Sequence, residues 1–284
     1  SAVDVDRAGH VWVAERCGAN SCAGSDLAPI LEFDISGKLL KSFGAGLFLQ
    51  PHGIAVDAAG NVWITDDQGA AGKGHQVIKF SPDGKVLLTL GKAGVAGNGP
   101  DTFNQPADVA VAPNGDIFVA DGHVQVQTKP SGELFVAPGP GPNPNARIAK
   151  FSKDGTLIKA WGKKGSAPGD IDGAHGLAID SKGRLFVADR TNSRIEIFDQ
   201  DGKPSQSLRT LFLQETIKRG VIMPSLVVCY GHSDAIVDQT LEAIDGAMAV
   251  YKRALNDGVE KYLVGRPSEP VYRTFNKKAE QAAP

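Results

Sequence analysis

Apolar and polar residues alternate along the first two thirds of the chain in a form that recurs. "VDVDRAGHVWVAE" starts at Val3, "IAVDAAGNVWITD" at Ile54, "VAVAPNGDIFVAD" at Val109 and "LAIDSKGRLFVAD" at Leu177. Each copy has an alternating run, a turn with Gly at one fixed place (Gly9, Gly60, Gly115, Gly183), and a second alternating run closing on an acid. Period-two alternation predicts strands, and the fixed Gly predicts a turn at positive φ. A second hairpin follows each time: "PILEFDISGKLLKSFG", "QVIKFSPDGKVLLTLG", "RIAKFSKDGTLIKAWG" and "RIEIFDQDGK". Each unit is therefore expected to carry four short strands. The turn glycines lie 51, 55 and 68 residues apart, the excess falling in Gly-rich loops near 67–75, 92–104 and 122–146. Tandem four-stranded units predict a β-propeller, with blades at about 1–46, 47–94, 95–165 and 166–203.

Past about Lys203 the pattern changes. "SLRTLFLQETIKRG" predicts a helix ended by Gly220, and "SLVVCYG" a buried strand. "HSDAIVDQTLEAIDGAMAVYKRALNDG" predicts a long helix capped by Ser233 or Asp234. Its stripe of Val237, Leu241, Ile244, Met248, Tyr251 and Leu255 is expected to be a packing face. The fold class is thus mainly β over 1–203 with a helix-strand-helix tail over 204–284, the end "NKKAEQAAP" frayed.

Composition narrows the function. With 30 basic against 32 acidic residues, bulk charge suggests neither a nucleic-acid partner nor an anionic membrane surface. No apolar run approaches the roughly 20 residues that span a bilayer, so no membrane insertion is expected. The chain begins with Ser1 and not Met, as a processed or truncated product would. Cys17 and Cys22 share the loop "ERCGANSCAG", where they either close a disulfide, implying an oxidising compartment, or stay free thiols. No second Cys/His pair stands nearby at zinc-ligand spacing, and Cys229 is expected to be a small buried residue.

"VWVAERCG", "LFLQPHGIAVDAAGNVWITD", "FNQPADVAVAPNGDIFVADG" and "GAHGLAIDSKGRLFVADRTNSRIEIF" resemble NHL-repeat propellers. The resemblance, over about 1–203, is to the branch containing peptidyl-α-hydroxyglycine α-amidating lyase. It implies a six-bladed ring, a zinc ion on three channel histidines in "PHG"-like contexts, and cleavage of a hydroxyglycine-extended peptide to a peptide amide and glyoxylate. It also admits calcium. His52 matches the first ligand, His175 the second and Arg16 the active-site arginine. His123, in "VADGH", stands where the family has a catalytic tyrosine. The blade carrying the third histidine has no counterpart here, so activity is expected to be compromised.

The stretch from Leu211 to Asn276 resembles the C-terminal end of class III aminotransferases of the glutamate-1-semialdehyde aminomutase type. That family's pyridoxal-phosphate lysine lies upstream of this piece, so neither the cofactor nor the activity is expected. The chain looks like a propeller cut after its fourth blade and joined to the end of another protein. The propeller part is compatible with a periplasmic or secreted location and the tail with a cytoplasmic one.

Strand order places the candidates without the family. His52 and His175 open first strands, while Arg16, Asp66, Asp121, His123 and Asp189 end or follow second strands. In an antiparallel blade all of these fall on one face, around the channel mouth. Two neutral imidazoles there suit zinc, and His123 can be the third ligand if its loop folds inward. Zinc would polarise a substrate hydroxyl or activate water, and Arg16 would hold a carboxylate bidentately. The plainer readings are rim histidines, a solvated His123, an Arg16 salt bridge to Glu15 or Asp66, and turn-capping roles for Asp66, Asp121 and Asp189. His10, His75 and His232 fit no constellation. The functional expectation is a lyase-like zinc propeller. The alternatives are a non-catalytic propeller binding a peptide or protein at its channel face, and an inactive aminotransferase remnant. Open blade edges invite self-association.

Overall fold

A computed structural model describes residues 1–70, 72–123, 126–128, 134–136, 144–222 and 233–267. The first sheet holds β1 (Ala2–Val5), β2 (Val11–Ala14), β3 (Ile30–Phe33) and β4 (Leu39–Phe43) in chain order. The second holds β5 (Pro51–Val56), β6 (Val62–Ala70), β7 (Lys73–Phe80) and β8 (Val86–Leu90). The third is built from β9 (Pro106–Val111), β10 (Ile117–Asp121), β13 (Arg147–Phe151) and β14 (Leu157–Trp161). A separate hairpin, β11 (Val126–Thr128) with β12 (Leu134–Val136), is inserted between β10 and β13. The fourth sheet has β15 (Ala174–Ile179), β16 (Leu185–Asp189) and β17 (Arg194–Phe198). All strand pairs are antiparallel meanders, the pattern of propeller blades. The turn glycines Gly9, Gly60, Gly115 and Gly183 have φ of 85°, 82°, 91° and 75°, as the repeat requires.

Blades stack through their alternating faces. Trp12, Ala14 and Ile30 of blade one meet Ile54, Val62, Ile64 and Phe80 of blade two in one core. A second core joins Trp63 and Val77 to Val109, Ile117 and Val119, and a third joins Phe118 and Ile148 to Leu185, Val187 and Phe198. The inner strands pack in series, β1 on β5, β5 on β9 and β9 on β15. Together they line a cavity of ≈ 440 Å³ with Asp4 and Asp108 in its wall. Among the described residues β1 and β15 share at most a weak contact across this cavity, an arrangement termed an arc, and Val3 and Val5 on β1 stay 61% and 54% exposed.

Two expectations need correction. Blade four has three strands, not four: after β17 the chain makes one bridge, Phe198 to Pro204, and turns into a helix. Within the expected loop at 67–75, residues 67–70 and 73–75 belong instead to strands β6 and β7.

Helix α1 (Gln206–Lys218) and helix α2 (Asp234–Asp257) then cover the face of blade four that a following blade would occupy. Phe186, Ala188, Ile195 and Ile197 point away from blade three and pack on Phe212, Ala247 and Tyr251. Gly220, at φ 80°, ends α1 as anticipated. Ser233 is the N-cap of α2, although its side chain makes no capping hydrogen bond. The buried stripe of α2 is Ala243, Ala247, Val250, Tyr251 and Ala254; Ile244, Met248 and Leu255 flank it, and Leu241 is exposed. Small alanines let the helix approach, which a count of large apolar residues alone misses. The anticipated strand "SLVVCYG", with Cys229, and the frayed end lie outside the described residues. No helix among the described residues is long and apolar enough to cross a membrane.

Cys17 and Cys22 are joined in a disulfide with Cα atoms 5.1 Å apart, and both are buried against blade two. Of three cysteines, thiol titration of the unreduced, denatured protein should therefore detect one; three would contradict the pairing. Tyr251 is 1% exposed, with Phe186 5.8 Å away and the Arg184 guanidinium 4.7 Å from its ring. Tyr251→Ala should cost about 3 kcal/mol or more, the range for emptying a buried aromatic site, and should raise binding of an apolar dye. An unchanged melting temperature would show that the helices do not seal the blade.

Candidate metal centre

The mouth of the arc is held open by carboxylates that end the second strands. Asp66 accepts the N–H groups of Leu49 (2.9 Å) and Gln50 (2.6 Å). Asp121 accepts that of Asn104 (2.8 Å) and Asp189 that of Asp172 (2.7 Å). Each ties down the segment entering its own blade's inner strand. Arg147 and Arg194 brace Asp121 and Asp189 at 2.7 and 2.8 Å and donate onward to neighbouring loop carbonyls. These acids therefore organise the mouth.

Beside them each inner strand carries an extra residue. The register slips between Pro51 and Ile54 on β5, at Ala107 on β9, and between Ala174 and Gly176 on β15. Such bulges re-aim a side chain out of the ladder. In blades two and four the bulge turns His52 and His175 into the channel. In blade three it holds Ala107, whose carbonyl accepts the His52 Nδ1 proton at 2.7 Å. Gly53 permits this approach, because a Cβ there would lie 2.7 Å from the Ala107 oxygen. The missing imidazole of blade three comes from His123, just past the end of β10 and pinned by its N–H to Gln105 O at 2.7 Å.

His52, His123 and His175 thus converge, one from each of three blades. Their rings are 4.3, 4.9 and 5.2 Å apart between centroids, and a ligand atom of each lies within 4.8 Å of the others. Tetrahedral zinc with Zn–N near 2.0–2.1 Å needs nitrogens about 3.4 Å apart, so a small contraction completes a cage. A carbonyl only accepts, so the Ala107 bond leaves the proton on Nδ1 of His52 and the lone pair on Nε2. Burial pushes His52 and His123 down to about 3 and His175 to about 4. The neighbouring imidazoles and the cations Arg16 and Arg190 add to the effect. All three are neutral ligands at pH 7.

Asp67 completes the setting. It is fully buried, and its Oδ2 lies 2.7 Å from His123 Nδ1, yet that contact lacks hydrogen-bond geometry and neither carboxylate oxygen has a hydrogen-bond partner among the described residues. Burial raises its pKa, opposed by the Arg16 charge. A buried acceptor without a donor is costly and calls for an ion. Three neutral imidazoles beside such a carboxylate fit a divalent cation.

Arg16 is directed to the Pro51 carbonyl (3.1 Å) and Asn20 (2.6 Å) rather than to Glu15 or Asp66. Asp67 and Arg190 escape a reading of the motif histidines alone, though both leave a trace. Arg190 follows "FVAD" as Arg16 follows "WVAE", the same repeat position, and Asp67 doubles the repeat acid in "ITDD". His10 joins Asp6 and Glu32, with Nδ1 2.8 Å from Glu32, in a group away from the mouth, and His75 borders a separate pocket. His232 lies outside the described residues.

The NHL repeat family model matches residues 48–80, 103–125 and 172–198. Peptidyl-alpha-hydroxyglycine alpha-amidating lyase 1 of Drosophila melanogaster is 34% identical over 226 residues, 70% of this chain and 37% of that protein. Peptidyl-glycine alpha-amidating monooxygenase B of Xenopus laevis is 36% identical over 206 residues, 68% of this chain and 21% of that protein. NHL repeat-containing protein 3 of Homo sapiens is 32% identical over 198 residues, 68% and 49% of the two chains. The chain spans between 15% and 50% of the length of such relatives. Among solved structures, a streptogramin B lyase is similar at TM-score 0.39 and 17% identity, over 72% of this chain and 66% of that one.

The histidine environment sets a pH response. A folded-state pKa below the unfolded value of about 6.5 means that stability is complete above that pH and falls as the unfolded chain gains protons first. Metal-free protein should lose on the order of 2 kcal/mol for each of His52 and His123 between pH 7 and pH 5. A His52→Asn, His123→Asn variant should show a flatter profile in thermal melts; an identical slope would contradict the assignment.

Proposed function

We propose that the chain is a zinc-binding propeller of the amidating-lyase type whose third ligand comes from blade three. The observation that supports this most is the convergence of His52, His123 and His175, neutral and set beside an unpartnered buried carboxylate. These histidines would hold the ion and leave a position open for substrate. Bound zinc acidifies a coordinated hydroxyl or water. The arc is taken as part of a six-bladed ring, with α1 and α2 standing where the next blade would pack. Calcium is given no residue set.

The residues then divide the work on a peptidyl-α-hydroxyglycine, the substrate class in the names of several relatives. Arg16 and Arg190, both half-buried at the mouth, would attract the substrate carboxylate in a charge-assisted pair. Asp67, with its raised pKa, would take the hydroxyl proton and return it to the departing amide nitrogen. The C–N bond breaks, leaving a peptide amide and glyoxylate. Where the family has a tyrosine this chain has His123, a ligand and not a phenol. Turnover is therefore expected to be weak or absent while the metal site persists.

The alternative, a non-catalytic propeller that captures peptide or protein at its channel face, is favoured by the same replacement. Self-association would use the open face of blade one around Val3 and Val5. The tail's resemblance to aminotransferases assigns no lysine to pyridoxal phosphate; its helices serve here as a cap on blade four.

Elemental analysis of the purified protein should find about one zinc per chain. His123→Ala should weaken retention by more than the roughly 10–100-fold that loss of an outer partner costs. Protein that carries no zinc and takes up none when it is supplied would overturn the proposal.

A further inference from the structure

A second cavity, ≈ 330 Å³, with both polar and apolar walls, opens beside the histidine cluster. Its wall includes Gln50, Gln68, His75, Asn104 and Gln105, and among the described residues no Asp, Glu, Lys or Arg lines it. Covalent neighbours link it to the metal centre. Gln50 precedes Pro51–His52, Gln68 follows Asp67, and Gln105 O holds the N–H groups of Gly122 and His123 at 3.0 and 2.7 Å.

The wall is built, not incidental. The β6–β7 register slips between Asp66 and Gly69, a bulge that contains Asp67 and Gln68. Gly69 and Gly74 are tightly enclosed: a Cβ on the first would lie 2.2 Å from the His75 ring, and on the second 1.7 Å from Gln68 O. His75 and Gln105 both hold positive φ, 52° and 65°, a strain of about 1 kcal/mol or more that surrounding structure must sustain. The Gln105 N–H points at His75 Nδ1 (3.3 Å), so that nitrogen accepts and the ring proton sits on Nε2 as a donor. Burial lowers the pKa of His75, which keeps the pocket neutral. The Nε2 amide of Gln68 is buried with no partner among the described residues.

A neutral pocket with an unpartnered amide donor and an imidazole donor in its wall does not suit an ion. It suits an amide. At the small end of the roughly 300–1,000 Å³ usual for ligand sites, it has room for one or two peptide units. We propose that this pocket is a main-chain subsite. It accepts the carbonyl of the peptide unit preceding the residue presented to His52, His123 and His175, with Gln68 Nε2 and His75 Nε2 as donors. The inference rests on the lyase-type reading for its direction along the peptide, but its chemistry stands without turnover.

The test is calorimetric titration of the intact, zinc-loaded protein with a capped trialanine amide, on wild type and Gln68→Leu. Gln68→Leu keeps the volume and removes an unpaired amide. The expected result is at least about tenfold weaker peptide binding, with zinc content unchanged and a melting temperature unchanged or raised, because an orphaned buried donor is lost. Equal binding by both proteins, no binding by wild type, or a lowered melting temperature without loss of affinity would overturn the subsite. Zinc content is read separately. Peptide bound without zinc supports the subsite and sinks the lyase reading; zinc retained without peptide binding sinks the subsite alone.

Discussion

A buried carboxylate in or at the end of the second strand is what the mouth of blades two, three and four depends on. Asp66, Asp121 and Asp189 reach back to the backbone N–H groups that lead into their own inner strands. The inner strand can then carry an extra residue without losing its entry point. That extra residue is His52 or His175 in two blades and Ala107 in the third. Blade one has the repeat acid as Glu15 and pairs β1 with β2 without a slip, and it contributes no histidine. The histidine cluster is in this sense a product of the repeat.

Charge balance explains how three imidazoles can be buried side by side. Three imidazoles buried together avoid repulsion only by staying neutral, and burial drives them there. Arg16 and Arg190 reinforce neutrality, and Asp67 offsets the guanidinium charges from inside the cluster. The carbonyl of Ala107 settles the tautomer of His52 at a position where the repeat itself has no histidine to offer.

The strands, the turns and the ring position of His52 and His175 were legible because repetition multiplies a weak local signal four times. The site was legible only in part. His123 is local to no strand pattern, and its contribution depends on Gln105 fixing its backbone from the neighbouring loop. Asp67 and Gln68 sit in a bulge, and alternation does not announce a bulge. The fourth blade lost its outer strand because Pro204 and α1 take its place, a tertiary outcome that "RIEIFDQDGK" does not encode. The helical stripe of α2 was misplaced toward Leu241, since alanines at 243, 247 and 254 decide which face approaches the blade.

The central claim is that one histidine from each of three blades forms a single cage. X-ray absorption at the zinc edge on the loaded protein tests it most directly. The account predicts three imidazole nitrogens at about 2.0–2.1 Å with one oxygen ligand, and loss of one imidazole in His123→Ala. Two or fewer imidazoles in the wild type, or a sulfur ligand, would contradict it.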